Sequence, residues 1–355
     1  MNDLFFTFGI CTFNSELFIA ETLESIKYQI QEYGKGKKMS LIVSDDHSTD
    51  STLEIVNNWI SKNEDYFEST MVLTSSINKG IASSFCELLR NIKTEYFIKI
   101  DGDDLICSDN IFEKCIGISK NEMRIYFPFK FNSEKVYADE VDICNFIKYS
   151  GKQSNHKKDL QLFEMLKPFN TPEVVLGRMC FTDDCLKFVE EFTQFEDDTS
   201  LYYVLKHNTQ MKMKFIIEPL VLYRVHNKSL SNGGVSVHQI NFLDDLHNFK
   251  KHMLNNERSV FVKAYLFLCV WDTFLMKHRF SADNCIHRRI RKIWIDKNIK
   301  DAKSVSNYKA TYQKIIDTCS KEQAYVEKIN KNSKVYFDKE MGCQYGTIKE
   351  FFEES

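Results

Sequence analysis

Short apolar runs alternate with helical patterns over the first 105 residues of the chain. Four runs have the flat apolar pattern of buried strands, at residues 5–11, 41–43, 71–73 and 96–100. Apolar residues recur at helical spacing between them, at 19–30, 53–60 and 81–92. Asn14 or Ser15 is an N-cap candidate for the first helix, and Ser51-x-x-Glu54 is a capping box for the second. This order predicts an α/β fold with a mostly parallel sheet flanked by helices.

Both periodicities continue through the middle of the chain, and only the helical one dominates afterwards. We predict strands at 124–131 and 215–225, the latter as a pair or one bent strand, and helices at 159–169 and 183–192, with a third that follows Phe195-Glu-Asp-Asp198 and runs to about His207. Residues 229–237, with Gly233-Gly234, are the best linker candidate. From about 239 the chain is helical, apart from a strand-like 335–337. We therefore expect a domain at 1–235 and a mainly helical region at 236–355.

Composition excludes several classes of protein. The 355 residues carry 47 Lys+Arg against 50 Asp+Glu, so no global basic field favours a nucleic-acid partner. The 43% hydrophobic content allows a sizeable core and argues against disorder. The 11 cysteines are odd in number and contain no C-x-x-C, which indicates reduced, mostly buried residues of a cytosolic protein.

Neither of the two apolar segments that resemble membrane signals has the full pattern of one. The run at 4–13 lacks a basic leader and a cleavage site, having Asp3 instead, and is too short to span a bilayer. The segment 259–276 contains Lys263 and Asp272, so we expect a buried helix there rather than a transmembrane span.

Polar clusters follow each of the four predicted strands, at 11–14, 44–46, 75–80 and 101–104. Ligands of parallel α/β sheets bind beyond the carboxyl ends of the strands, so four clusters on one edge suggest a site. Asp101-Gly-Asp103 is the central motif, because Mg²⁺ or Mn²⁺ commonly shares a few carboxylates with a substrate diphosphate. Taken alone, such a triplet is equally typical of a solvated turn or a helix cap.

Six segments, in order along residues 4–232, resemble the motifs of the family 2 glycosyltransferases. They are Ile10-Cys-Thr-Phe-Asn14, Val43-Ser-Asp-Asp-His-Ser-Thr-Asp50, Asn78-Lys-Gly80, Ile100-Asp-Gly-Asp-Asp104, Phe195-Glu-Asp197 and Tyr223-Arg-Val-His-Asn-Lys-Ser-Leu-Ser231. The resemblance implies the GT-A fold, which is a Rossmann-like sheet flanked by helices. It also implies a nucleotide-sugar donor, Mn²⁺ or Mg²⁺, and direct displacement with inversion at the anomeric carbon.

The resemblance also assigns residues to the donor and the metal. Phe13 would lie against the base and Asp46 would accept from uracil; we favour these roles over the alternatives, which are strand-end packing for Phe13 and a helix cap for Asp46. Asp101 would face the ribose or metal-bound water, Asp103 would ligate the metal, and Asp104 is a less certain third carboxylate. The full donor-binding set is Cys11, Thr12, Phe13, Asn14, Asp46, Asn78, Lys79, Gly80, Asp101, Gly102 and Arg224, and the metal set is Asp103, Asp101 and His226.

Asp197 is the predicted catalytic base, which an inverting displacement needs on the face opposite the leaving group. A helix cap is the alternative role for Asp197, and the neighbouring Glu196 and Asp198 leave the register open. Arg224 and His226 could add positive charge or a metal ligand at the diphosphate. A solitary histidine is more often structural, but His226 lies inside a motif match.

Three departures from the family pattern bear on these roles. Phe85-Cys86 replaces the usual Arg-Asn after Asn-x-Gly, so a donor contact is missing or comes from Lys79. His47 replaces a glycine and is expected to alter the backbone of its loop. The Gln-x-x-Arg-Trp motif of processive synthases is absent from the sequence, which favours a single-addition transferase over a polymerase.

Less is predicted for partners and location. The acceptor is expected to be a glycan or lipid-linked saccharide of bacterial capsule, lipopolysaccharide or other surface polysaccharide, in a cytoplasmic enzyme. The basic stretch within 286–300 suggests peripheral contact with the inner face of the membrane, although a solvated helix with one buried stripe is the favoured explanation. A catalytically silent nucleotide-sugar or glycan-binding module is the alternative function. A nucleotidyltransferase ranks low because no Gly-rich loop follows the first strand, and oligomeric state stays open.

Overall fold

A computed structural model describes residues 5–149, 156–166, 174–226, 237–277 and 286–338. The strands are β1 (Phe6–Thr12), β2 (Met39–Asp45), β3 (Ser69–Thr74), β4 (Phe97–Asp101), β5 (Leu105–Ile106), β6 (Glu122–Tyr126), β7 (Phe129–Phe131), β8 (Val136–Tyr137), β9 (Val174–Val175), β10 (Lys212–Ile216) and β11 (Val221–Arg224). The helices are α1 (Ile19–Tyr33), α2 (Thr52–Asn63), α3 (Ile81–Asn91), α4 (Ile111–Cys115), α5 (Glu140–Tyr149), α6 (His156–Leu166), α7 (Asp183–Val189), α8 (Glu196–His207), α9 (Val237–Asn256), α10 (Val260–Lys277), α11 (Ile286–Lys303) and α12 (Tyr308–Asp338).

The first four strands form a parallel sheet in the order β3-β2-β1-β4. Helices α1, α2 and α3 connect them, so the predicted alternation is confirmed. Cys11 at the end of β1 lies opposite Ser44 of β2 and Asp101 of β4. The polar segments that follow these strands therefore meet at one edge of the sheet.

Hydrophobic packing covers both faces of this sheet. Phe6, Phe8 and Ile10 of β1 pack with α1 and α2, including the fully buried Trp59. Residues of the opposite face pack with α3, α7 and α8 in a second cluster. A parallel strand buried on both faces reads as a continuous apolar run, which is why β1 was predictable.

Two smaller mixed sheets extend the first one. The predicted strand at 124–131 is two strands, β6 and β7, that belong to different sheets, with Pro128 between them. The predicted pair at 215–225 is β10 and β11; β10 runs parallel to β6 and β11 parallel to β7. Pro128 cannot donate a ladder hydrogen bond, which accounts for the break that the apolar pattern did not reveal.

Local capping differs from the sequence prediction. Neither Asn14 nor Ser15 caps α1, which begins after Phe18, and Ser51 makes no side-chain cap on α2. Instead, Asp50 accepts the Thr52 backbone N–H at 3.0 Å. The Ser51 backbone N–H donates to the Glu16 side chain, which belongs to the loop before α1.

Two further predictions are wrong. Residues 335–337 lie within α12 rather than in a strand, and α10 is not buried all round. Its exposed side chains include Phe261, Phe267 and Trp271. The predicted linker core at 229–236 lies outside the described residues. Within the described ranges, nine cysteines are free and eight of these are buried, and no helix is apolar over enough length to cross a membrane.

The C-terminal helices share the hydrophobic core of the sheet domain. Phe249, Leu266, Ile315 and Ile329 belong to the same buried cluster as the residues of α3. Helix α12 also packs along α1, and its buried Glu322 accepts hydrogen bonds from Ser108. The boundary at 235/236 stays a prediction, but α9 to α12 add to one core.

Replacing Glu322 with alanine is expected to destabilise the whole chain. Both its bonds, at 2.9 Å to the Ser108 N–H and 2.7 Å to Ser108 Oγ, are buried, so their loss leaves two unsatisfied donors. We expect a loss of about 2–4 kcal/mol in the free energy of unfolding, measured in urea. Glu327→Ala, an exposed position on the same helix, should change it by less than about 0.5 kcal/mol, and equal effects would contradict this account.

Candidate active site

Backbone hydrogen bonds join three of the polar segments directly. The Thr12 carbonyl accepts the Asp46 N–H at 3.0 Å, and the Cys11 carbonyl accepts the Gly102 N–H at 2.9 Å. These bonds continue the sheet ladder by one residue past β2 and β4. The motifs that follow β1, β2 and β4 are therefore fixed relative to one another before any side chain contributes.

Asp46 holds the turn that contains Asn78, Lys79 and Gly80. Its two carboxylate oxygens accept the Lys79 N–H at 2.8 Å and the Gly80 N–H at 2.7 Å. Burial raises the pKa of Asp46, and the two N–H donors oppose that shift. Gly80 has φ +90°, and a Cβ there would lie 2.4 Å from the Thr193 carbonyl, so only glycine fits. Asn78 and Lys79 stay exposed at the sheet edge.

The loop after β2 keeps a left-handed residue without glycine. His47 has φ +66°, and its Nδ1 lies 3.1 Å from the Ser75 carbonyl. Asn14, also left-handed at φ +49°, accepts the Thr49 N–H at 2.8 Å and donates its own N–H to Ser48. Although His47 replaces a glycine, the loop therefore keeps its left-handed turn, and side-chain contacts support that turn.

The acidic segment after β4 is tightly packed. A Cβ on Gly102 would lie 2.4 Å from Thr12 Oγ1, so the glycine is required by the protein's own packing. Asp104 is buried and its Oδ1 accepts the Arg224 N–H at 2.8 Å, which ties β11 to the segment. Asp103 is more open, with its side chain 30% exposed, and its Oδ2 lies 3.0 Å from His226 Nε2.

In this structure, Arg224 contacts other residues of the protein. Its Nε donates to the Asp103 carbonyl at 2.6 Å, and its terminal NH2 pairs with the Glu21 carboxylate at 2.6 Å. The guanidinium also lies over the rings of Phe18 and Phe131. These contacts hold the acidic segment in place, and the predicted donor contact of Arg224 stays a prediction.

Lys99 is a site residue that the sequence analysis missed. It lies two residues before Asp101 on β4, so the two side chains share one face of the strand. Its Nζ lies 2.8 Å from Asp101, 3.2 Å from Glu196 and 4.0 Å from Asp197, with the lysine side chain only 9% exposed. A lysine within an otherwise apolar strand is the signal that would have identified it.

The carboxylates around Lys99 outnumber its single charge. Burial raises the pKa of Asp101, the nearby Asp197 and Asp103 raise it further, and Lys99 opposes them. Burial and the Asp197 charge also raise the pKa of Glu196, to about 8. Asp197, the predicted base, and Asp103, the predicted metal ligand, thus both raise the pKa of Asp101.

Exposure distinguishes the three acidic residues that open α8. Glu196 and Asp198 are buried, whereas 26% of the Asp197 side chain is exposed. All three lie in the first turn of the helix, and no side chain caps it. Of the three, Asp197 presents the most open carboxylate to a ligand.

The remaining predicted residues divide into buried and accessible ones. Cys11 and Thr12 are buried, so their accessible contribution is the backbone, while Phe13 is half-buried and Asn14 is exposed. Phe85 and Cys86, which belong to α3, lie in the hydrophobic core. Two surface grooves, of about 480 and 420 Å³, lie elsewhere, along α12 and between α5 and α11.

The residues present fit a metal that completes its shell with substrate oxygens. In the described part of the chain, no group of three or more His, Cys, Asp or Glu side chains is arranged to hold a metal ion. Asp103 Oδ2 and His226 Nε2, which lie 3.0 Å apart, would supply two ligand atoms. Divalent cations bound with a diphosphate use one or two protein carboxylates and take the rest from phosphate and water.

Residues 7–140 match the family described as "Glycosyl transferase family 2". EpsE of Bacillus subtilis (strain 168) is 33% identical over 93 residues, which are 26% of this chain and 31% of that protein. The match thus spans about a third of EpsE.

Two solved structures resemble the fold over most of their length. Staphylococcus aureus TarS 1–349, in complex with UDP-GlcNAc, is 18% identical with a TM-score of 0.52 and covers 89% of each chain. The mannosyltransferase PcManGT of Pyrobaculum calidifontis, in complex with GDP-Man and Mn²⁺, is 15% identical with a TM-score of 0.50 and covers 88% of this chain and 86% of its own.

Residues 7–140 thus match the family 2 glycosyltransferases that the sequence motifs indicated, and four of the six motifs lie within that range. The fold is GT-A, with a mostly parallel sheet flanked by helices and a C-terminal helical region.

Glu196 gives a testable pH dependence. Because its pKa is about 8 in the folded protein and the usual value is 4.5, the folded state holds a proton that the unfolded chain releases. Between about pH 4.5 and 8 the free energy of unfolding should fall as pH rises, by at most about 1.4 kcal/mol per pH unit from this group. Glu196→Gln should flatten the profile measured by urea unfolding.

The matched control is Glu54→Gln, the same change at an exposed position on α2. It should keep the wild-type slope. A Glu196→Gln profile as steep as that of the wild type would show that Glu196 is ionised across this range.

Proposed function

We propose that this protein is an inverting, metal-dependent glycosyltransferase that transfers one sugar from a nucleotide-sugar donor to a glycan or lipid-linked acceptor. The observation that carries the proposal is that Asp197 and Asp101 both lie beside Lys99, while Asp103, two residues after Asp101, lies 3.0 Å from His226. A metal-and-diphosphate position on one side and a carboxylate base on the other are what an inverting displacement requires. The match to the glycosyltransferase family supports the same activity.

Asp103 and His226 would hold the cation. When bound, Mn²⁺ or Mg²⁺ neutralises the charge that grows on the leaving diphosphate. Mg²⁺ prefers oxygen ligands, so an imidazole in the set favours Mn²⁺. Asp101 lies deeper and is paired with Lys99, which suits contact with the ribose or a metal-bound water rather than with the metal itself.

Asp197 would accept the proton of the acceptor hydroxyl as that oxygen attacks the anomeric carbon. Its exposure supports this register over Glu196 and Asp198, which are buried. Lys99 Nζ lies 4.0 Å from the Asp197 carboxylate, so the proposed base stands beside a buried cation in the first turn of α8.

The donor is proposed to be a UDP-sugar. Asp46 and Phe13 lie where the family places the base, and the TarS fold neighbour was solved with UDP-GlcNAc. PcManGT has the same fold and was solved with GDP-Man, so the fold by itself does not select the base. The Asp46 carboxylate accepts one N–H on each oxygen, from Lys79 and from Gly80, and so keeps lone pairs for a uracil N–H.

The acceptor and the location rest on the family resemblance alone. We propose a saccharide of bacterial capsule, lipopolysaccharide or another surface polysaccharide, and a cytoplasmic enzyme that works at the inner face of the membrane. A catalytically silent binding module is the alternative, and the accessible carboxylate of Asp197 favours an enzyme.

Two variants should separate donor binding from transfer. Asp103→Asn removes a charged metal ligand and is expected to abolish the Mn²⁺-dependent thermal stabilisation by UDP-sugars. Asp197→Asn keeps the shape and is expected to retain that stabilisation while transfer falls by about 10²-fold or more, because general-base catalysis contributes 10²–10⁴-fold. Thermal shift and radiolabelled transfer from UDP-sugars measure the two effects.

Asp184→Asn, an exposed position on α7, is the matched control and should behave as the wild type. Donor binding by the wild type without transfer to a broad acceptor panel would favour the silent module. Stronger stabilisation by a GDP- or dTDP-sugar would overturn the uridine assignment.

The membrane contact is proposed to involve α10 and α11 together. Lys292, Lys297 and Lys300 are exposed on α11, and Ile293 beside them is 70% exposed. The exposed Phe261 and Trp271 on α10 add the aromatic component typical of a bilayer interface. Exposed lysines together with aromatic and aliphatic side chains fit an anionic lipid surface.

Sedimentation with vesicles tests this contact. The protein should pellet at low salt with phosphatidylglycerol vesicles and not with phosphatidylcholine vesicles, because each surface cation contributes about 1 kcal/mol only against anionic lipid. Lys292→Glu with Lys297→Glu should weaken binding. The charge-matched control, Lys309→Glu with Lys314→Glu on α12, should not, and equal loss in both pairs would contradict a local surface.

A further inference from the structure

Side chains of α1 and β11 hold the backbone of the acidic segment. Arg224 Nε donates to the Asp103 carbonyl at 2.6 Å. Thr22 Oγ1, on α1, lies 3.0 Å from the Gly102 carbonyl and 2.8 Å from the Asp104 carbonyl. Three successive carbonyl oxygens are therefore held from one side, by α1 and by Arg224.

Glu21 anchors the arginine in this arrangement. Its carboxylate is 1% exposed; one oxygen pairs with the Arg224 NH2 group at 2.6 Å, and the other accepts from Asn330 Nδ2 at 3.0 Å. A planar guanidinium bound at two nitrogens and placed over two rings has little freedom to turn. Asn330 belongs to α12, so the C-terminal helix reaches this chain of contacts.

The contacts converge on both proposed metal ligands. Arg224 fixes the carbonyl of Asp103, and His226 follows Arg224 by two residues, with its Nε2 3.0 Å from Asp103 Oδ2. Phe18 lies against both the His226 ring, at 4.6 Å between centroids, and the Arg224 guanidinium. A displacement of Arg224 would change the separation of the two ligand side chains.

We infer that Glu21 is a positioning residue for the metal site, that it acts through Arg224, and that Asn330 of the C-terminal helix holds it in place. This inference rests on the proposed function for its metal. It gives the C-terminal region a role in the site in addition to its role in the core. The relay is Asn330–Glu21–Arg224, ending at Asp103 and His226.

Mn²⁺ binding in the presence of UDP tests the relay, with free Mn²⁺ counted by electron paramagnetic resonance. Glu21→Gln keeps the shape but removes the charge, and we expect the Mn²⁺ affinity to fall by about 10-fold or more, as for other partners of metal ligands. Asn330→Ala, which leaves the ion pair intact, should give a smaller fall in the same direction. The control Lys321→Gln, which breaks the α12 ion pair with Asp109, should not change it.

Hydrogen exchange of the metal-free protein gives a readout that does not depend on any ligand. Amides of residues 102–106 should exchange faster in Glu21→Gln and Asn330→Ala, and not in Lys321→Gln. If both relay variants fold, bind Mn²⁺ as the wild type does and exchange at the wild-type rate, the inference is wrong and the proposed function stands. If the wild type binds neither Mn²⁺ nor UDP, the proposed function fails, and the exchange rates alone decide the relay.

Discussion

The pairing of buried carboxylates with two buried cations is the constraint on which the site depends. Lys99 lies between Asp101 and Glu196, and Arg224 is paired with Glu21. An unpaired buried charge would be far too costly to keep at the edge of a sheet, whereas a paired and hydrogen-bonded one is tolerated. The two cations therefore decide which carboxylates can be gathered there and where each one points.

Lys99 and Arg224 divide the acidic residues into two groups with different surroundings. The group around Lys99 joins β4 to α8 and includes Asp197, the proposed base. The group around Arg224 joins β11 and α1 to the acidic segment and leads to the proposed metal ligands. Because the strand β4 and the residues that follow it connect both groups, movement of one would be felt by the other.

Much of the fold was predictable because its elements have simple local causes. Strands buried on both faces are apolar throughout, and the amphipathic helices between them show regular spacing, so the first four strands and three helices were found. The caps of α1 and α2 were not, because the Asn14 side chain accepts from Thr49 in a distant loop and Asp50, not Ser51, accepts from the first residue of α2. The break between β6 and β7 also escaped notice, since Phe127 and Phe129 on either side of Pro128 keep the run apolar.

The sequence by itself determined the parallel sheet edge and the set of polar residues that gather there, since the alternation of strands and helices and the position of each motif follow from the pattern along the chain. Only the tertiary structure decided that Asp197 is more open than Glu196 and Asp198, that Lys99 belongs to the site, and that Asn330 reaches Glu21 across 309 residues. Burial and ion pairing between distant elements leave no periodic trace in the sequence. They depend on how helices α8 and α12 pack against the sheet, which local patterns do not encode.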